Sequence, residues 1–149
     1  MALDDILKTA RERARQLGLP YEGALLPGEA YQVWKEAPNA KLVDVRTHAE
    51  WYWVGRIPGA VEIEFLTYPD NTLNPSFLPE LEQKVDKGAL VMFICRSGGR
   101  SHHTATLATQ AGYAGCYNVL EGFEGDKDAV GHRNAKGGWR AAGLPWTQS

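Results

Sequence analysis

A chain of 149 residues, 44% of them hydrophobic and with a formal net charge of -2, suits one globular domain whose core needs no metal or disulfide to hold it. That charge gives no reason to expect nucleic acid or an anionic membrane as a partner. Two cysteines are too few for a secreted disulfide scaffold, and no apolar run approaches membrane-spanning length. The opening residues lack the apolar stretch of a secretory signal, and Asp4, Asp5 and Glu12 speak against a transit peptide, so a cytoplasmic protein is the expectation.

In chain order, apolar residues at Leu3, Ile6, Leu7, Ala10, Ala14 and Leu17 recur at helical spacing, with Gly18 and Pro20 as the stop. Residues 29–36 read as a short helix with Ala30, Val33 and Trp34 on one side, ended by Pro38. Residues 41–46 (KLVDVR) read as a strand, and Thr47 with Glu50 three residues later reads as a capping box opening an aromatic helix over 49–54. A turn over 57–60, a strand over 61–65, a loop over 66–75 and a helix over 77–85 follow. The continuous apolar run 89–94 (ALVMFI) suits a strand buried on both faces of a parallel sheet. Ser101 then reads as the cap of a helix whose inner face is Thr104, Leu107, Ala108 and Ala111, ended by Gly112. Residues 116–120 read as a further strand, and the Gly-rich tail carries one short helical stretch near 139–142. Strands alternating with helices predict an α/β domain: a parallel sheet with helices on both faces.

Cys95-Arg96-Ser97-Gly98-Gly99-Arg100-Ser101 lies where the buried strand gives way to a helix. Ligands of open α/β sheets sit at the carboxyl ends of strands. A cysteine there faces the partial positive charge of a helix N-terminus, and Arg96 and Arg100 add full charges, all favouring a thiolate. Gly98 and Gly99 allow the backbone to curl so that its amides form an anion nest. The expected site is a thiolate at the bottom of an electropositive bowl, whose natural guest is a small anion with an electrophilic atom.

The same seven residues resemble the active-site loop of the rhodanese family of sulfurtransferases. Leu42–Arg46 is similar to that family's first strand, Glu50-Trp51 with Gly55–Ala60 to its Gly-His-Ile-Pro-Gly-Ala turn, and Asn118–Gly122 to its last strand and following turn. The resemblance runs from Pro27 to Trp146, with residues 1–24 as a helical extension ahead of a domain over 25–149. It implies a five-stranded parallel sheet and a reaction without metal or organic cofactor. In that reaction Cys95 takes the outer sulfur of thiosulfate as a persulfide and passes it to cyanide, a thiol or a protein sulfur acceptor. Arg96, Ser97, Gly98, Gly99, Arg100 and Ser101 would bind the anion and cradle the sulfur. Asp44, Arg46, Glu50 and Arg56 would support the loop, with Arg46 paired to Glu50. Arg56 stands where the family has histidine, the spacing from Trp51 to Gly55 is one residue longer, and Phe123 replaces a second glycine; these departures bear on substrate choice.

The alternatives are a rhodanese-like cysteine phosphatase or arsenate reductase, and a non-catalytic sulfur-carrier or regulatory module. Such phosphatases place five residues between cysteine and arginine, whereas four separate Cys95 from Arg100. Cys116, in a strand, reads as a core cysteine rather than a resolving thiol. His102 and His103, adjacent on a helix, diverge and make a poor metal pair. Either Tyr52 or Trp53 is a candidate for lining the pocket.

Overall fold

The computed structural model describes residues 2–148. Among the described residues there are seven strands: β1 (Gly23–Leu25), β2 (Ala40–Asp44), β3 (Val61–Glu62), β4 (Leu66–Thr67), β5 (Thr72–Leu73), β6 (Leu90–Ile94) and β7 (Gly115–Val119). Five of them form one parallel sheet in the order β1-β7-β6-β2-β3, while β4 and β5 make a separate antiparallel hairpin. The central strands β2 and β6 pair with Asp44 opposite Ile94, and β6 pairs with β7 with Val91 opposite Cys116.

Side chains alternate across a strand, and both sides of this sheet are covered. Leu42, Met92, Ile94, Tyr117 and Val119 meet Ile6 and Ala10 of α1 (Leu3–Leu17) and Ala30 and Val33 of α2 (Pro27–Glu36). Val43, Val91, Phe93, Cys95 and Cys116 share the other core with Phe77 and Leu81 of α4 (Phe77–Lys84) and Ala105 and Ala108 of α5 (Gly99–Gln110). The short α3 (His48–Trp53) follows β2. Helices on both faces of a five-stranded parallel sheet are the architecture expected. Arg13 of α1 donates to the Ala24 carbonyl (2.7 Å) and to Glu29 (3.0 Å), tying α1 to β1 and α2. Among the described residues no helix is long and apolar enough to cross a membrane.

Several expectations need correction. β1 is absent from the sequence reading, because three fully buried residues between two helices carry no periodicity. The strand expected over 61–65 ladders only over Val61–Glu62; Ile63 and Phe65 still donate to the carbonyls of Asp44 and Val45. The loop expected over 66–75 contains the β4–β5 hairpin. The stretch near 139–142 is a turn closed by the Ala142 amide on the Gly138 carbonyl, with Trp139 fully buried.

Candidate active site

Strand β6 ends at Ile94, and alternation sends Val91, Phe93 and Cys95 toward the α4–α5 side. The chain then turns into α5 through Gly98, whose φ of +112° suits glycine. Here Ser101 does not cap the helix: Gly98 takes the cap position and Ser101 falls in the first turn, buried. No side chain of the cap residue satisfies the helix's first amides. The sulfur of Cys95 does so instead, accepting from the amides of Gly98 (3.1 Å) and Ser101 (3.4 Å). Ser101 Oγ lies 3.3 Å from the same sulfur and donates to Asn118 Oδ1 at 2.5 Å. Negative charge developing at this sulfur therefore meets two amides and the positive end of a twelve-residue helix. Gly99 lacks the positive φ that Gly98 has, and a Cβ there would meet open space, so one glycine and not two makes the curl.

The tail braces the loop from behind. The amides of Phe123 (2.8 Å), Glu124 (2.9 Å) and Gly125 (3.3 Å) donate to the carbonyls of Cys95 and, for the last two, Arg96. Gly122 (φ +63°) comes so close that a Cβ would stand 2.6 Å from the Cys95 oxygen and the Arg96 carbon. Carbonyls are thus drawn toward the tail. The resemblance places Gly122 in the turn after the last strand and Phe123 among the departures bearing on substrate choice; the bracing of the loop by the backbone of residues 123–125 is an addition from the structure.

The expected pairing of Arg46 with Glu50 is not what the fold makes. Arg46 and Asp44 are both fully buried and pair with each other (Nη2–Oδ2 2.7 Å, Nε–Oδ1 3.0 Å). Arg46 also donates to the Gly55 carbonyl and lies 4.1 Å over the Phe123 ring. Glu50 instead receives both Arg100 nitrogens, at 2.6 and 2.9 Å, which clamps α3 to the first turn of α5. The capping box holds as expected: Thr47 Oγ1 accepts from the Glu50 amide, and Glu50 Oε1 accepts from the Thr47 amide. Arg56 pairs with Glu62 (2.9 Å) and its backbone exchanges two hydrogen bonds with Thr147, so it fastens the tail and does not line the cleft beside the loop. Arg96 is exposed, and its guanidinium meets no carboxylate among the described residues.

Burial pushes the Glu50 carboxyl up, but the Arg100 clamp, the Thr47 amide and the charge of Arg46 outweigh it and hold Glu50 below its ordinary value. Burial likewise works against the Arg100 charge, and Glu50 more than offsets it. A carboxyl depressed in the folded state stabilises fully above its unfolded value of about 4.3 and loses that contribution as pH falls through the folded value. Denaturation of the native protein and of Glu50→Gln should therefore show a stability gap near pH 6 that closes in acid, below about pH 4. A gap independent of pH would show that the clamp does not act through the carboxylate charge.

Thr47, Ala49, Glu50, Trp53, Val54, Leu66, Tyr68, Asn71, Arg96 and Arg100 line a cleft of about 470 Å³ above the loop. Of the two aromatic candidates, Trp53 lines it and Tyr52 does not. Cys95 itself is 1% exposed. His102 Nδ1 meets the Tyr21 hydroxyl at 2.9 Å, and the His103 ring stacks on Phe65, so the two histidines diverge. Burial, opposed by a Thr109 contact and aided by Glu22, pushes the Cys116 thiol up to about 11, which leaves it inert near neutrality.

A buried cysteine that follows a central parallel strand and caps the next helix with its sulfur places this protein among the cysteine-loop α/β domains. The chain belongs to the rhodanese-like domain family, which matches residues 28–129. It is 37% identical over 121 residues to the uncharacterized Rickettsia conorii protein RC0915, covering 79% of this chain and 91% of that one. The crystal structure of Rv0390 from M. tuberculosis is 46% identical, with a TM-score of 0.80 over 87% of this chain and 99% of the other. Two neighbours at 20% identity share the fold. The polysulfide-sulfur transferase homodimer of Wolinella succinogenes has a TM-score of 0.60 over 97% and 90% of the two chains. A Rhodopseudomonas palustris protein described as a possible tyrosine phosphatase has a TM-score of 0.55 over 99% and 95%.

Proposed function

We propose that the protein is a sulfurtransferase that carries sulfane sulfur as a persulfide on Cys95, with thiosulfate as a donor. The carrying observation is the convergence of the Gly98 and Ser101 amides and the α5 N-terminus on Cys95 Sγ. The thiolate attacks the outer sulfur of thiosulfate. A bond forms from Sγ to that sulfur, the sulfur–sulfur bond of thiosulfate breaks, and its electron pair leaves with sulfite. Cyanide or a thiol then takes the outer sulfur and returns the thiolate. The scheme uses no metal or organic cofactor. Exposed and without a carboxylate partner among the described residues, Arg96 attracts the anion, while Arg100, held by Glu50, positions the loop.

A phosphatase needs its loop arginine free to clamp a phosphoryl group. Arg100 is committed to Glu50, and only Arg96, Ser97, Gly98 and Gly99 separate it from Cys95, which favours the sulfur reading.

Intact mass spectrometry after incubation with thiosulfate tests the proposal. The native protein and Cys116→Ser should each gain one sulfur atom, removable by cyanide, and Cys95→Ser should gain none. Sulfur bound only through Cys116, or no gain at all, would overturn it.

A further inference from the structure

A chain of side-chain hydrogen bonds leads away from Cys95 Sγ through the interior of the fold. Ser101 Oγ lies 3.3 Å from the sulfur and donates to Asn118 Oδ1 at 2.5 Å. Asn118 stands on β7, and its Nδ2 donates to the Tyr21 hydroxyl and to the Gly98 carbonyl, each at 3.3 Å. Tyr21, from the segment between α1 and β1, meets His102 Nδ1 at 2.9 Å. Ser101, Asn118 and Tyr21 are buried and His102 is half-buried, so the chain starts at the sulfur and ends near the surface.

The direction of every bond follows from what each group can do. A carbonyl only accepts, so the Gly98 oxygen requires Nδ2 on its side of the Asn118 amide and turns Oδ1 toward Ser101. A hydroxyl has one proton. Ser101 gives its proton to Oδ1 and faces the sulfur with a lone pair. Tyr21 accepts from Nδ2 and keeps its own proton for His102. Burial pushes the Tyr21 phenol up, against the opposing Asn118 contact, which keeps it a donor. All donors point the same way, and bonds in such a chain polarise and strengthen one another.

A thiol fits this arrangement, because its S–H donates to the Ser101 lone pair. A thiolate keeps the amides of Gly98 and Ser101 but meets an oxygen lone pair where it could have had an O–H. For Ser101 to donate to the thiolate, it would have to leave Oδ1, a buried acceptor, unpaired. Asn118 and the sulfur compete for one proton. From this we infer that Asn118 and Tyr21 are positioning residues for Cys95: they hold the Ser101 proton away from the sulfur and so restrain the thiolate that the loop amides favour. The inference rests on Cys95 as the reacting group proposed above, and its test needs no sulfur donor.

The thiolate is titrated by its ultraviolet absorbance, taken as the difference between each protein and the same protein carrying Cys95→Ser. The charged groups about Cys95, namely Arg96 and the Arg100–Glu50 and Arg46–Asp44 pairs, are common to all variants. A hydrogen bond gained by the charged form favours it, so the midpoint should fall by about half a pH unit or more in Asn118→Leu. Tyr21→Phe should move it the same way by less, since Asn118 keeps only its Gly98 contact; deleting a single oxygen, it carries the test alone where Asn118→Leu does not fold. In a Ser101→Ala background neither change should move the midpoint, whereas a shift caused by distortion of the loop would persist. An unmoved or raised midpoint in Tyr21→Phe, a shift that survives Ser101→Ala, or a rise in Ser101→Ala itself, which would mean that the hydroxyl already donates to the sulfur, would each overturn the inference. If the midpoints move as stated and thiosulfate does not load the native protein, the sulfur-transfer reading fails and the positioning role stands.

Discussion

Asp44→Asn should destabilise the fold by about 3–5 kcal/mol, because it leaves the Arg46 charge buried without its counter-ion. Both residues are fully buried, and the carboxylate takes two guanidinium nitrogens and the Arg46 amide. Arg46 has little else to fall back on: Nη2 also reaches the Gly55 carbonyl, one face covers Phe123, and Nη1 has no partner among the described residues. Removing one partner is far costlier than removing both, since a matched apolar pair has no desolvated charge to carry. Urea denaturation should therefore show a large loss in Asp44→Asn and a smaller one in the double change Asp44→Leu with Arg46→Met. A loss under about 1 kcal/mol in the single variant would mean that water or rearrangement reaches the pair. Sulfur transfer should decline as well, because Arg46 holds the carbonyl of Gly55 just beyond α3, the helix that carries Glu50.

One glycine inserted between Gly98 and Gly99 should lower the rate of Cys95 persulfide formation on the order of a hundredfold or more. Mutations that remove a preorganised donor at a developing charge have effects of that size. Sγ receives the Gly98 and Ser101 amides at 3.1 and 3.4 Å because the turn into α5 is short; a longer turn pulls at least one of them away. The sheet and the packing of α5 should survive, since Gly99 is exposed and a Cβ placed there meets open space. Both proteins are to be assayed with thiosulfate and with an aryl phosphate. The native chain should load sulfur and leave the phosphate intact; substantial Cys95-dependent phosphate hydrolysis by the native chain would show that loop length does not select the chemistry.

Strand β6, which leads into the site, was legible because it is a continuous buried apolar run, and the Thr47–Glu50 box because its logic is local in sequence. The cysteine loop was legible for the same reason: its strand, glycine and helix start lie within a dozen residues. Charge partners were not. Arg46 had carboxylates two and four residues away in Asp44 and Glu50, and it pairs with Asp44 while Glu50 is taken by Arg100, 50 residues distant in sequence and brought there only by the fold. Ser101 carried the signature of a cap, yet the preceding Gly98 took that position through its positive φ, and the sulfur supplied the acceptor. The bracing by residues 123–125 was hidden because backbone amides of a loop leave no mark in side-chain pattern.

The register of β6 against β7 sets how a loaded protein can discharge. Val91 lies opposite Cys116, and Cys95, just past the end of β6, is four residues further along the chain. At about 3.3 Å per residue along the strand and about 4.8 Å between strands, the two cysteine Cα atoms are roughly 14 Å apart, about twice the longest span of a disulfide. A persulfide on Cys95 therefore has no second thiol in its own chain to collapse it. Release of the sulfur becomes a bimolecular event, its half-life inversely proportional to the concentration of whatever thiol or cyanide arrives. Under the proposed function the domain would hold one sulfur between encounters, and protein isolated away from acceptors should retain part of that sulfur.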